Sequence, residues 1–513
     1  MPGLSPTFQT LATTRNEAAV DVLMATLDDS NKKLRSQAIN ALLIRTGQRA
    51  PQMLLARWNK LLEEDLKQLR AQPTWMRDVI IAALKSGGEG IETSIEAARS
   101  LGLTDAVQEL VFLAEVSASR EIRSKAGLAV LSLVAPIGRA ARQDRSQPTV
   151  RGPILARLAD SVRRFSMHRN ATMVEAFLMA SSWGDGDLRA MIAEESEALD
   201  LICDRFSKSE NQGVMDLLAG FVRRKSISPR ILERMQTCTG AGYRDALLSC
   251  VGTEPSGNVV RNLRDMGMPK ACHGGEELVT QISPERRAAL IHLYITANQD
   301  NLETMHLITA VLRQGGPGCV SAAAIALGRC EVPSIDFWMR AAVPVADDDR
   351  EAIAADENAK LLSDLIELLE HDEPALVRGV QRVLAPLHAD AMLHKFHNLR
   401  PRSRRRLGRV VMMIDTTAVQ RVRDSLRHPV LASRLEAIAM ADALAIVDLL
   451  SDSFTHISRE DHQEARMKAA EVMGDAEGEE TLKLLQNMID LPSSTVRDVA
   501  IAALDRRQNA RSR

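Results

Sequence analysis

Three kinds of residue cluster in this 513-residue chain have the composition to do chemistry. The first is basic: Arg400-Pro401-Arg402-Ser403-Arg404-Arg405-Arg406-Leu407-Gly408-Arg409 carries six arginines in ten residues. Guanidinium groups hold phosphates and carboxylates through a two-pronged donor geometry. Arg400, Arg402, Arg404, Arg405, Arg406 and Arg409 are therefore the candidate partner-binding residues. The second kind is nitrogen and sulfur, in His388, His394 and His397 and in Cys272-His273 beside Gly274-Gly275. His394 and His397, three apart, share a helix face, but neither set has a further ligand at a spacing that zinc uses. No metal is expected. The third is acidic: Asp347-Asp348-Asp349 lies within Pro344 to Asn358 but lacks the glycine of a calcium loop, and reads as a solvated linker.

Catalytic signatures are missing from the sequence. It contains no G-x-x-x-x-G-K-[ST], H-E-x-x-H or G-x-S-x-G. Gly87-Gly88-Glu89-Gly90 and Gly315-Gly316-Pro317-Gly318 lie between helical segments with no strand leading in, so they read as turns and not as nucleotide cradles. The expectation is a protein that is not an enzyme and needs no cofactor.

Composition indicates what must position these residues. Aromatics are 3% of the chain, whereas Ala, Leu, Val and 21 Met dominate, which suits packed helices better than sheets. Lys plus Arg number 65 against 67 Asp plus Glu, so no global field draws the molecule to nucleic acid or anionic lipid, and any such contact is local. Cys203, Cys238, Cys250, Cys272, Cys319 and Cys330 include no C-x-x-C pair and are expected to be reduced. With no apolar run of about 18 residues and no basic-then-apolar start, a cytoplasmic protein without a membrane span is expected.

The most informative pattern is a near-duplicate. Arg77-Asp78-Val79-Ile80-Ile81-Ala82-Ala83-Leu84 and Arg497-Asp498-Val499-Ala500-Ile501-Ala502-Ala503-Leu504 agree at seven of eight positions, and Arg244-Asp245-Ala246-Leu247-Leu248 echoes them. Internal repetition changes the whole fold reading. Val496, Val499, Ala500, Ala503 and Leu504 form one helical stripe, and Leu482, Leu485, Met488 and Ile489 form the one before it. Leu491-Pro492-Ser493-Ser494 separates the two, with Pro as breaker and Ser as cap. Similar hairpins read from Val20 to Leu42, from Val107 to Leu133 and from Leu361 to Leu387. Pro73, Pro229, Pro284, Pro374 and Pro429 precede apolar-periodic stretches, with Ser228 and Ser283 as caps. Ala135 to Pro153 reads as a long loop.

These hairpins resemble the HEAT-repeat family, including the lyase-type variant repeats, through an acidic turn followed by an apolar residue, Arg, then alanines and leucine. Here that reads Asp29 to Leu34-Arg35, Asp372 to Val377-Arg378 and Asp490 to Val496-Arg497, with Ile122-Arg123 lacking the aspartate. The resemblance implies an all-α fold, an α-solenoid of antiparallel helix hairpins forming a HEAT-like or ARM-like superhelix. It also implies a structural ladder between repeats, made by Asp29, Arg35, Arg77, Arg123, Asp372, Arg378, Asp490 and Arg497. Three segments are expected: HEAT-like repeats over 1–140, degenerate helical repeats over 141–345, and HEAT-like repeats over 346–513. At about 40 residues per repeat the chain holds on the order of a dozen hairpins. Such arrays leave an extended surface, so the expected function is a scaffold or adaptor for a protein partner. A nucleic-acid- or phosphate-binding solenoid using Arg402–Arg409 is the alternative, and an enzyme-associated subunit of the lyase type the third.

Overall fold

The computed structural model describes residues 5–143, 148–298, 300–347, 350–388 and 401–511, the side chains of 148, 343–347, 401–406 and 509–511 excepted. Among the described residues every regular element is a helix. They form two compact units, Met1–Cys250 with Ser256–Cys272, and Val251–Pro255 with His273–Arg513. The stretch 141–345, where the repeat signature fades, is helical and contains the division between them.

The first hairpin shows how the sequence dictates the fold. Val20, Leu23 and Met24 bury one face of helix Ala18–Thr26, and the chain then turns at Asn31. The Asn31 side chain accepts from the N–H groups of Lys33 and Leu34 at 3.0 and 3.4 Å, satisfying donors that the first helical turn leaves orphaned. Helix Lys32–Ile44 then buries Ala38, Ile39, Ala41 and Leu42. Each large side chain so buried contributes roughly 1.5–3 kcal/mol. Two helices cannot cover all of these faces, and their neighbours finish the job.

In the first unit, helices Ala18–Thr26, Arg49–Ala56, Thr74–Ser86, Val107–Val116 and Pro148–Arg163 pack in succession as one layer. Lys32–Ile44, Glu63–Arg70, Ile91–Leu101, Arg120–Arg142 and Ala171–Ala180 pack in succession as the other. In the second unit Arg287–Ala297, Cys319–Leu327, Pro374–Leu384, Pro401–Ile414, Leu431–Ala443, Gln463–Met473 and Ser494–Arg511 form one continuous layer. Gly275–Gln281, Asn301–Gln314 and Glu357–Glu367 stack beside its beginning, and Ser451–Glu460 and Glu479–Ile489 beside its end. Layered hairpins stacked in chain order make each unit an α-solenoid.

Three local expectations give way. The loop over Ala135 to Pro153 is mostly helix: Arg120–Arg142 runs through Pro136, and Pro148–Arg163 runs through Pro153. A proline inside a helix forfeits a backbone bond, but Val134, Gly138 and Ala141 are buried on the helix that contains Pro136, and that packing outweighs the loss. The linker over Pro344 to Asn358 is likewise helical, in Ile335–Asp347, Arg350–Ala355 and Glu357–Glu367, while Asp348 and Asp349 lie outside the described residues. Ser228 and Ser283 do occupy N-cap positions, but neither side chain makes a capping bond.

Candidate interaction site

The basic run begins helix Pro401–Ile414, which packs against Ile335–Asp347, Pro374–Leu384 and Leu431–Ala443. Leu407, Val410 and Val411 are buried, so Arg409 is turned outward and exposed. The side chains of Arg402, Arg404, Arg405 and Arg406 lie outside the described residues. Arg400 lies outside the described residues.

Arg409 lines an open recess of about 210 Å³ together with Asp442, Asp448, Asp475 and Glu477. Asp448 has a structural duty there. Its Oδ2 accepts from the N–H groups of Glu477 and Gly478 at 3.1 and 2.9 Å, and its Oδ1 from the Thr481 hydroxyl at 2.6 Å. The site thus sets a guanidinium beside carboxylates.

Arginines at the start of second helices pair with acids at two places, Arg35 with Asp65 and Arg434 with Asp461. Arg35 donates to the Leu27 carbonyl of its own turn and forms a buried ion pair with Asp65, one repeat further on. Asp29 instead accepts from the N–H of Asn31 at 2.8 Å. Arg434 repeats the device, reaching the His428 carbonyl at 2.7 Å and Asp461 through two bonds of 2.8 and 2.6 Å. Arg123 and Arg497 keep only the half that clasps the turn, on the Ser117 carbonyl at 2.6 Å and on those of Ile489 and Leu491 at 3.0 Å each. Asp372, Arg378 and Asp490 are exposed, and among the described residues no ion pair joins Asp372 to Arg378 or Asp490 to Arg497. Arg77 sits in the other layer, on Thr74–Ser86, beside Asp78 and 3.6 Å from Asp105. The twin octapeptides therefore occupy non-equivalent helices of their hairpins.

A second set of arginines had no sequence motif to reveal it. Arg142 donates to the carbonyls of Met179 and Ser181 at 3.0 Å each, at the end of helix Ala171–Ala180. Arg223 does the same for Ser249 and Cys250, Arg287 for Gln314 and Gly315, and Arg382 for Leu327 and Cys330. Each clasps the carbonyl end of a neighbouring helix, where unpaired acceptors and the helix dipole favour a cation. The only sequence hint was an arginine near one end of an apolar stripe.

Other candidates have structural roles. Burial pushes the Cys272 thiol up to about 12 and that of Cys330 to about 11, which makes both poor nucleophiles and ligands. Among the described residues no group of His, Cys, Asp and Glu is arranged to hold a metal; His394 and His397 lie outside them. Gly87, Gly90, Gly315 and Gly318 take left-handed backbone conformations at the ends of helices, as turns require. Ser161 and His168 lie near one another, but Ser161 is buried and the imidazole is engaged by backbone: Nε2 faces the Ser161 carbonyl at 3.0 Å, and Nδ1 accepts from the Asn170 N–H at 3.0 Å. No described helix is long and apolar enough to cross a membrane.

No family model matches the chain, and no curated protein matches it. Solved structures with which it aligns include Kap121p at 13% identity, covering 97% of this chain and 53% of that one with a TM-score of 0.25. A chain from work on the interaction between cadherin and β-catenin aligns at 12% identity over 99% and 100% of the two chains, with a TM-score of 0.25. A chain from the Kap95p–RanGDP structure aligns at 12% identity over 96% and 62%, with a TM-score of 0.21. The protein spans about half the length of Kap121p. Its assignment as a solenoid rests on its own order of helix packing.

Proposed function

We propose that this chain is a non-catalytic HEAT-like scaffold whose surface binds a protein partner, with Arg402 to Arg409 as the principal contact. The observation that carries this reading is the recess that Arg409 lines together with the carboxyl-bearing residues Asp442, Asp475 and Glu477. A polyphosphate drawn to the arginines would meet negative charge at that wall, whereas a polypeptide can offer both signs. Complementary charge there gives register and specificity more than raw affinity. The test is a pull-down from native extract with the full chain and with Arg402, Arg405, Arg406 and Arg409 changed to Gln. A specific protein recovered by the first and lost by the second is expected. Recovery of nucleic acid alone, with affinity falling steeply as salt rises, would overturn the reading.

A further inference from the structure

The first unit carries a knuckle whose construction is hard to explain by folding alone. Between helices Pro148–Arg163 and Ala171–Ala180 the chain makes one short helical turn, Phe165–His168, and Arg169 follows at φ 48°, a left-handed conformation that residues with a side chain seldom adopt. The turn leaves Met167 82% exposed. It is nevertheless firmly held. The His168 imidazole bridges Ser161 and Asn170, and the Asn170 side chain donates to the Ala114 carbonyl at 2.9 Å. Arg164 reaches Glu115 at 3.3 Å.

Those last two bonds dock the knuckle on the C-terminal end of helix Val107–Val116, whose outer face shows Phe112 and Val116 at 51% and 61% exposure. Three large apolar side chains are thus exposed on two elements that these bonds join, on backbone pinned by specific hydrogen bonds. Pinned exposure of this kind marks a binding surface better than scattered exposed leucines do. The local charge indicates the partner. Glu115, almost buried, is shared by Arg157 and Arg164, so that trio keeps one positive charge. Exposed Arg120 and Arg169 add two more, and Arg163 with Asp160 and Asp187 takes one away, which leaves the neighbourhood positive by about two.

We infer that the Phe112–Val116–Met167 surface docks an acidic amphipathic segment of a protein partner, its apolar side on these three residues and its carboxylates against Arg120, Arg164 and Arg169. The inference rests on the scaffold reading and adds a second contact, separate from Arg409. The probe is a fluorescent 16-residue Leu/Glu peptide of helical spacing, read by anisotropy with the full chain, beside a Leu/Lys peptide of the same pattern. The expected result is at least tenfold tighter binding of the Leu/Glu peptide. Val116→Ser with Met167→Ser should weaken it tenfold or more, and Arg120→Glu with Arg169→Glu should reverse the preference, circular dichroism staying unchanged throughout. Equal binding of both peptides, or binding indifferent to these variants, would overturn the inference. So would variant-sensitive binding confined to vesicles of 7:3 phosphatidylcholine and phosphatidylserine. A chain that still recovers its protein partner through Arg402–Arg409 but ignores the Leu/Glu peptide refutes the knuckle alone. One that recovers none refutes the scaffold reading.

Discussion

Replacing Gly138 by alanine adds one methyl group at a place where two helices have no room for it. A Cβ there would lie 2.7 Å from the carbonyl carbon of Met179 and 3.1 Å from the Ala180 Cα, all backbone that no rotamer change can move. Carbon–carbon contacts settle near 3.5–4.0 Å, so Arg120–Arg142 and Ala171–Ala180 must part by roughly 1 Å, and a gap of that size forfeits about a quarter to a half of each dispersion contact across it. Overpacking of this sort costs about 1–3 kcal/mol, against which the better helix propensity of alanine returns about 0.8–1 kcal/mol. The net expectation is a loss of about 0–2 kcal/mol. The same substitution at Gly257, the first residue of helix Gly257–Met266, meets nothing within 4 Å and should stabilise by about 0.4–1 kcal/mol through the unfolded chain. Both positions lie in the first unit, so urea-denaturation midpoints of the two variants can be compared directly. Gly138→Ala shifting the midpoint upward, or Gly257→Ala shifting it downward as far as Gly138→Ala does, would refute the close-packed stacking of these helices.

The ladder can be dissected with a pair of carboxamides: Asp65→Asn strands a buried guanidinium and should cost about 3 kcal/mol by denaturation, while Asp29→Asn should stay within about 0.5 kcal/mol. Removing a helix-end clasp, Arg382→Met, leaves the Leu327 and Cys330 carbonyls unpaired and should lower stability by roughly 2 kcal/mol, with faster amide exchange near the end of Cys319–Leu327 as the local readout. Burial holds the His292 imidazole below its usual 6.5, with Nε2 2.9 Å from the Thr253 carbonyl. The unfolded chain therefore takes up that proton first as pH falls, so the contribution of His292 is complete above about 6.5 and is lost on acidification. His292→Gln should flatten that part of the stability–pH curve, and a curve unchanged by it would count against the buried neutral ring.

Helical periodicity carried the fold. Leu361, Leu365, Leu376, Val380, Val383 and Leu384, read from their spacing as two faces of one hairpin, are all buried. Proline was less informative, because Pro136 and Pro153 announce breaks that the packing around them overrides. The arginine–acid pairs were legible on one side only. Arg35 is the right residue, but its acid lies thirty residues away, where no local motif looks; Asp461, twenty-seven after Arg434, follows the same spacing of one repeat. Sequence order also made Arg77 an equivalent of Arg497, and only packing shows that Arg77 lies on the first helix of its hairpin and Arg497 on the second helix of its own. The knuckle shows in the sequence only as a basic group, Arg163-Arg164 with His168-Arg169, and not as a turn. Phe165-Ser166-Met167-His168 reads as the tail of a helix until the contacts of Asn170 and His168 turn it outward.

The clasps of Arg142, Arg223, Arg287 and Arg382 share a property that side-chain pairs lack. Their acceptors are peptide oxygens, present whatever amino acid occupies the position. A joint of this kind makes no demand on spelling in the segment it grips, so that segment can mutate freely while still being fastened. Three of the four lie between 141 and 345, where the HEAT-like wording fades but the layering persists. An engineer splicing foreign hairpins into this array would need to supply the arginine and little else.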